Sequence, residues 1–416
     1  MSINMVANHA IRAQEDDIIF GLSARANEAI AKYGKENVIN STIGTLLDDD
    51  GKLVAFESVY GELQSMNPAD IAAYAGLAGI PAFLEAVVKA CFMDHRPAGF
   101  IKAVATPGGT GAIKNAVVNY TNPGDTFFTA STYWPAYTTI AVENGRNFDT
   151  FNLFNEEGTL DFESYKEKFI YYLEKQKRVL AILNTPAHNP TGYTISDEEW
   201  DKIIDLAKEY AAKDPDYRIT ILVDMAYIDF AGEGDTRSFM EKFGNLPENI
   251  MGLFAYSASK GYTMYGLRNG ALICVTPKEE LATEFYYACA HSNRGNWSNG
   301  TKGAMQVIAN IFSDEEKYAK CEEERTRYRK LLATRGAAFM EGVKETNIPI
   351  TNYCGGFFVS VFANDPKALC EKLIEKNVFT VPLAEGIRVA ICAMKESDCR
   401  RLPAIIKEAM VELGMM

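Results

Sequence analysis

Lys260 lies in the stretch YSASKGYTMYGLRNG (256–270), after an apolar run, beside Ser257 and Ser259 and eight residues before Arg268. A lysine at a strand end, stripped of water and close to another cation, loses basicity, and its free amine attacks carbonyl carbon. Arg268 and the two serines are suited to a phosphate dianion. Alone, the stretch fits a loop with a solvated lysine equally well. What separates the two readings is the company Lys260 keeps.

Three segments supply that company. TPGGTGAIKNAV (106–117) is a glycine-rich turn opening a helix, where backbone N–H groups around Gly109 and the Thr110 hydroxyl would bind an anion. It has neither the dinucleotide nor the P-loop glycine spacing, and by itself it is equally a tight turn. NTPAHNPTGY (184–193) ends an apolar run. Pro186 and Pro190 restrict this loop and hold Asn189 where its amide can donate to a ligand oxygen, while His188 reads as a packed neighbour. LVDMAYIDF (222–230) sets Asp224 and Tyr227 at the end of another apolar run. A buried carboxylate there needs a partner: a helix N-cap, a salt bridge or the cationic ring nitrogen of a ligand. Together these groups amount to an anion cradle, partners for a ring nitrogen and a ring phenolate, an amine for an aldehyde, and a phosphate-binding arginine. Pyridoxal phosphate needs that set.

The elements that must position these groups alternate. FFTAS (127–131), RVLAILN (178–184), ITILVDMAY (219–227), MGLFAYSAS (251–259) and ALICVT (271–276) read as strands. SDEEWDKIIDLAKEYAAK (196–213) has apolar residues at helical spacing, and Ser196 with Glu199 makes a capping box. Repeated strand, loop and helix over 60–330 predict an α/β fold with a mostly parallel sheet covered on both faces. In such sheets ligand groups gather at the carboxyl ends of strands. Beyond about residue 315 a charged helix, then GGFFVSVF, VFTVPL and GIRVAICAM, predict a smaller α+β domain. The expected division is residues 1–55 joining the small domain, 56–320 as the large cofactor-binding domain and 321–416 as the small C-terminal domain.

Composition excludes some functions. The 416 residues carry a net charge of −13, a poor match to nucleic acid. None of the eight cysteines forms a C-x-x-C pair, and they read as reduced thiols of a cytoplasmic protein. MSINMVANHAIRAQEDD lacks the apolar core of a secretory signal, and no apolar run is long enough to predict a membrane span. The four histidines are scattered, which argues against a protein-built metal site. The mixed-sign run SDEEKYAKCEEERTRYRK (313–330) reads as a solvated helix face.

On these motifs the chain resembles the class I pyridoxal-phosphate aminotransferases, in the aspartate/aromatic branch, along nearly its whole length. TPGGTGA matches the family's phosphate turn, HNPTG its Asn-Pro loop, DMAYIDFA its Asp-x-x-Tyr segment and SASKGYTMYGLRNG its lysine segment, in the family's order. The resemblance implies a seven-stranded, mostly parallel sheet, a small domain built from both termini, pyridoxal 5'-phosphate as cofactor, and a homodimer. It implies that Trp134 in STYWPAY stacks on the cofactor ring and that Tyr74 in AAYAGLAGIPAF reaches the neighbouring subunit's cofactor phosphate. Arg388 in GIRVAICAM would grip the substrate α-carboxylate, a task for a planar bidentate donor, with the backbone at Gly44 approaching the same carboxylate. Arg294 in NRGNWSNG (293–300) matches an arginine that binds a distal carboxylate from the other subunit, which points to aspartate or glutamate and to 2-oxoglutarate as acceptor.

Three residues depart from that branch. Tyr137 and Asn184 replace histidines, and Leu46 replaces a tyrosine. They are expected to alter the pocket wall, leaving aromatic amino acids beside aspartate as donors. The implied reaction is a ping-pong transamination between small-molecule amino and 2-oxo acids, with Lys260 as covalent anchor and proton carrier. The rival on the same scaffold is a lyase or decarboxylase. A cofactor-sensing regulator would need a basic DNA-binding domain, and a nicotinamide dehydrogenase the missing dinucleotide fingerprint.

Overall fold

The computed structural model describes residues 5–12 and 18–416. Residues 1–4 and 13–17, part of the segment expected to join the small domain, lie outside the described residues. The centre is a seven-stranded sheet in the order Phe100–Pro107, Asn269–Thr276, Ile250–Ser257, Arg218–Asp224, Arg178–Asn184, Thr126–Ala130, Asn147–Phe151. Asn269–Thr276 runs antiparallel to both its neighbours, and every other pair is parallel. In Arg178–Asn184 and Arg218–Asp224 every residue after the leading arginine is buried. Such continuous apolar runs suit a sheet covered on both faces. Two strands, Phe100–Pro107 and Asn147–Phe151, fall outside the runs predicted from sequence, and both form sheet edges.

Helices cover the sheet. Asp197–Lys213 starts at the expected cap: Ser196 Oγ accepts from Glu199 N–H, and the Glu199 carboxylate accepts from Ser196 N–H. Its inward face carries Trp200, Ile203, Ile204 and Ala207, with the Trp200 ring stacked on Phe239 at 4.9 Å. Elsewhere Ile39–Asn40 pairs in parallel with Val378–Phe379, so early and late segments share a sheet. Val381–Pro382, Gly386–Ala390 and Phe358–Phe362 form a three-stranded antiparallel sheet. The helix Glu315–Thr346 runs unbroken through residue 320. Its Cys321 and Leu332 pack into the core of the large sheet, and its Ala338, Phe339 and Val343 into the core beside the small one.

This topology aims chemistry at one edge. The carboxyl ends of the six same-direction strands lie together, with Asn184 level with Asp224 and Asp224 level with Ala255. Ser257 is level with Gly270, and Pro107 with Asn269. Gly270 is required for this convergence: a Cβ there would sit 2.6 Å from both the Gly108 carbonyl carbon and Tyr256 O. Among the described residues no helix is long and apolar enough to cross a membrane, and no group of three His, Cys, Asp or Glu side chains could hold a metal ion.

Candidate active site

At that edge lies a cavity of about 150 Å³, walled by the ends of Arg178–Asn184, Arg218–Asp224 and Ile250–Ser257 and by segments that follow or precede other strands. After Phe100–Pro107 comes the helix Gly108–Tyr120, whose first turn presents Gly109 and Thr110. Its N–H groups are the unpaired donors of a helix start, ready for an anion. Gly108 has φ +67°, and a Cβ on it would sit 2.6 Å from Arg268 Nη2; a Cβ on Gly109 would sit 3.2 Å from Ser257 Cβ. Arg268 Nη1 donates to Ser259 Oγ at 3.1 Å and to Tyr265 O at 2.8 Å, which fixes its guanidinium over the turn. Ser257 and Ser259 line the same wall. One glycine, three hydroxyls and one guanidinium thus line the same side of the cavity.

Opposite stand the polar groups of the central strands. Asp224 is 5% exposed, its Oδ2 accepting from the Tyr137 O–H at 2.6 Å and its Oδ1 from Ala226 N–H at 3.3 Å. Burial raises its carboxyl above the usual value, against the pull of Tyr137, Ala226 N–H and the Lys260 charge. A further cation in the cavity would relieve that cost. Asn184 ties the next loop down: its Nδ2 donates to Asp224 O at 2.7 Å and its Oδ1 accepts from Asn189 N–H at 2.6 Å. Asn189 Nδ2 then donates to the Tyr227 hydroxyl at 3.4 Å. Trp134 closes a side of the cavity. His188, as expected, is a packed neighbour: it bonds Thr191 at 2.8 Å, and burial lowers its pKa to about 3.

Lys260 sits between the two halves, in the one-turn helix Ala258–Gly261 that follows Ile250–Ser257. Its Nζ lies 5.2 Å from the centre of the Tyr227 ring. Burial pushes the amine down to about 8; the Asp224 charge opposes this and the Arg268 charge adds to it. The amine is a free base above that pH and a cation below it. At pH 7 roughly one molecule in ten carries the nucleophilic form, against fewer than about one in a thousand for an ordinary lysine. Treating the unliganded protein with a small aldehyde and borohydride, then mapping peptides by mass, should modify Lys260 with a midpoint near pH 8. A midpoint near the ordinary 10.5 would mean an unperturbed amine.

The remaining expected residues are distributed around this centre. Arg388, 5% exposed, donates from Nη2 to Thr42 O at 2.7 Å and from Nη1 to Asn189 Oδ1 at 3.5 Å. Its guanidinium lies 4.4 Å from the centre of the Phe358 ring, and a Cβ on Gly44 would sit 2.6 Å from the same ring. Arg388, Gly44 and Phe358 therefore form one unit, in which Phe358 escaped the sequence reading. Tyr74 and Arg294 are not brought to the cavity of their own chain: Tyr74 is 91% exposed, and the exposed Arg294 donates to Ser298 Oγ at 2.8 Å. Of the three departures, only Asn184 lines the cavity. Tyr137 and Leu46 are fully buried, which corrects their expected place on the pocket wall. Tyr137 instead backs Asp224, and the Leu46 N–H donates to the Tyr265 hydroxyl at 3.0 Å, joining the Gly44 loop to the lysine segment.

Residues 36–406 match the family described as aminotransferase class I and II. A solved structure of an aminotransferase from Anaerococcus prevotii DSM 20548 is similar at a TM-score of 0.95 and 40% identity, over 98% of this chain and 99% of that one. An aromatic-amino-acid aminotransferase of Pseudomonas aeruginosa is 26% identical over 246 residues, 58% of this chain and 58% of that relative. An aromatic-amino-acid aminotransferase of Burkholderia pseudomallei, solved covalently bound to pyridoxal phosphate, shares the fold at a TM-score of 0.80 and 21% identity, over 97% of this chain and 100% of that one. Further relatives bear the names aspartate aminotransferase and tyrosine aminotransferase.

Proposed function

The chain belongs to the class I and II aminotransferases, enzymes of pyridoxal phosphate, and from that premise we propose that it moves the amino group of an L-amino acid, aspartate or aromatic or both, to 2-oxoglutarate in a ping-pong sequence. The observation that carries the reading is the Lys260 amine, held at low basicity in one cavity with an anion cradle and a buried carboxylate.

The residues fit the cofactor. Gly108 and Gly109 leave open the space beside Arg268 and Ser257 that a Cβ would fill, and Asp224 is a buried carboxylate facing the cavity. When bound, pyridoxal phosphate supplies an aldehyde for amines and a ring that accepts the electron pair released at the substrate Cα. In this reading Gly109, Thr110, Ser257, Ser259 and Arg268 hold the phosphate. Asp224 keeps a proton on the ring nitrogen, Asn189 and Tyr227 bond the ring oxygen, and Trp134 covers the ring face. Lys260 removes the Cα proton and returns it on the other side of the transfer, as general base and then acid. Arg388 and the Gly44 backbone orient the α-carboxylate. Both half-reactions use these groups, since both substrates carry that carboxylate.

The same proposal includes a cytoplasmic homodimer in which Tyr74 and Arg294 act across the interface. The exposure of both supports it. So does the state of the cysteines, all eight free and seven of them buried. The division at residues 1–55, 56–320 and 321–416 also belongs here: the pairing of Ile39–Asn40 with Val378–Phe379 supports joining 1–55 to the small domain, while the boundary at 320 falls inside the helix Glu315–Thr346, whose Cys321 and Leu332 pack with the large sheet.

A panel of amino donors with 2-oxoglutarate tests the reading: glutamate and the matching keto acid should form together. Ammonia or carbon dioxide without glutamate would make the protein a lyase or decarboxylase. Within the panel, Arg294→Ala should lower kcat/KM for aspartate and glutamate by roughly 10- to 100-fold and for phenylalanine by less than about threefold. Equal losses across the panel would remove Arg294 from side-chain recognition.

A further inference from the structure

Asn293 stands next to Arg294, near the end of the helix Glu279–Asn296, and is fully buried. Its side-chain amide makes three hydrogen bonds, each to a different segment. Nδ2 donates one hydrogen to Leu77 O at 2.9 Å, in the loop that follows Tyr74. It donates the other to Ala105 O at 2.8 Å, in the strand that leads into the glycine-rich turn. Oδ1 accepts from Asn115 Nδ2 at 3.0 Å, in the helix that the same turn opens. An amide shut away from water is tolerated when its donors and acceptor are used, and each bond is then stronger than at a surface.

The main chain of Asn293 shapes the turn that carries Arg294. Asn293 O accepts from Trp297 N–H at 3.0 Å and from Ser298 N–H at 3.1 Å, which ends the helix and folds the chain back. The fold-back brings Ser298 Oγ within 2.8 Å of Arg294 Nη1. At the far end of the turn Asn299 Nδ2 donates to Ala75 O. The Arg294 turn and the Tyr74 loop are thus tied twice, by Asn293 and by Asn299. One helical turn after Asn115, Asn119 Nδ2 donates to Ser292 Oγ at 3.0 Å and extends the seam. Ala105 and Asn115 flank the glycine-rich turn, so Asn293 locks the point from which Arg294 leaves the surface to the frame of the cofactor cradle.

We propose that Asn293 is a positioning residue for substrate choice: it sets the direction in which Arg294 leaves the surface, and so how well the site across the interface tells a distal carboxylate from an aromatic ring. The inference rests on the reading of Arg294 as the arginine that binds a distal carboxylate in the other subunit. Asn293 touches no substrate and acts through Arg294. A guanidinium pairs a carboxylate best through two parallel N–H···O bonds, which fix its line of approach. A displacement of about 1 Å in such a contact costs on the order of 10²-fold in rate.

The experiment is a double-mutant cycle on the full-length protein at saturating pyridoxal phosphate: Asn293→Leu, Arg294→Ala and both together. Leucine stays close to the shape of asparagine and makes none of its hydrogen bonds. Thermal melting and light scattering check the fold and assembly of each variant. The quantity read is kcat/KM for glutamate and for phenylalanine as donors, each reporting its own half-reaction in a ping-pong sequence. Asn293→Leu should lower the value for glutamate about tenfold and for phenylalanine by less than about threefold. In the Arg294→Ala background the same substitution should change the ratio between the donors by less than about twofold. Equal losses for both donors, no loss for either, or the same change of ratio in both backgrounds would reduce Asn293 to a packing residue and overturn the inference alone. If Asn293→Leu does not fold, Asn115→Ala takes its place, since it releases only the Asn293 oxygen. That variant should lower the glutamate-to-phenylalanine ratio about threefold, and an unchanged ratio overturns the inference. If Arg294→Ala itself leaves the ratio unchanged, the reading of Arg294 fails and takes the inference with it.

Discussion

Lys260→Ala leaves a folded protein that binds pyridoxal phosphate without a covalent link and turns over amino acids at least about 10⁴-fold more slowly. The size of the loss follows from the surroundings. A substitute base would have to lie in the cavity and be unprotonated near neutral pH. Burial holds the Tyr227 phenol far above its ordinary value, so it keeps its proton. His188 is neutral, with a pKa of about 3, but it is buried against Thr191. Asp224 is committed to Tyr137 and lies at the strand end. Asn189, Trp134 and the serines are not bases. Borohydride treatment followed by peptide mapping should find cofactor fixed to Lys260 in the wild type and nowhere in the variant. Small primary amines in solution should restore part of the rate, because the missing side chain leaves room in the cavity. Turnover within tenfold of the wild type would end the assignment of Lys260.

The legible part of this molecule is where polar residues terminate apolar runs. Asn184 and Asp224 each close a strand whose preceding residues are buried on both faces, and Lys260 follows a third such strand. A polar group at the end of a doubly covered strand marks the edge where ligands bind. The strands that escaped are those without that signature. Asn147–Phe151 buries only its last residue, and its Asp149 is satisfied by Lys168 and Tyr172, both at 2.6 Å, from a helix reached later in the chain. Phe100–Pro107 begins with an exposed residue and two half-buried ones. On an edge strand the partners that make polar residues acceptable come from elsewhere in sequence, so local pattern does not reveal them.

The same reason explains Tyr137 and the long helix. A residue three positions after a cavity tryptophan can line the cavity or back it, and the helix that starts at Ala136 turns Tyr137 behind Asp224. In Glu315–Thr346 the mixed charges hide two buried patches. Arg335 looks like one more solvated cation, yet it is fully buried, donating to Leu47 O, Cys392 O and Asp49. It binds the start of the chain to its end around the Gly44 loop, a contact that only the tertiary structure creates.

That loop is half of the arrangement that makes Arg388 the second large effect. Arg388→Ala should lower kcat/KM for amino acids by on the order of 10²–10³-fold, matching the cost of about 2–5 kcal/mol for removing one member of a buried, hydrogen-bonded charge pair. Lysine should recover little of it. The guanidinium plane is set by Thr42 O on one nitrogen, Asn189 Oδ1 on another and the Phe358 ring beneath. An ammonium cannot reproduce two fixed donors and a stacked face at once. The loss should appear in kcat as well as KM, because the grip on the carboxylate also orients the substrate Cα for proton transfer. A substrate that never had the carboxylate separates recognition from general damage. Phenethylamine should react slowly with the wild type and at a similar rate with Arg388→Ala, while phenylalanine loses its advantage over it. If both substrates fall by the same factor, Arg388 supports the fold of the site and does not read the carboxylate.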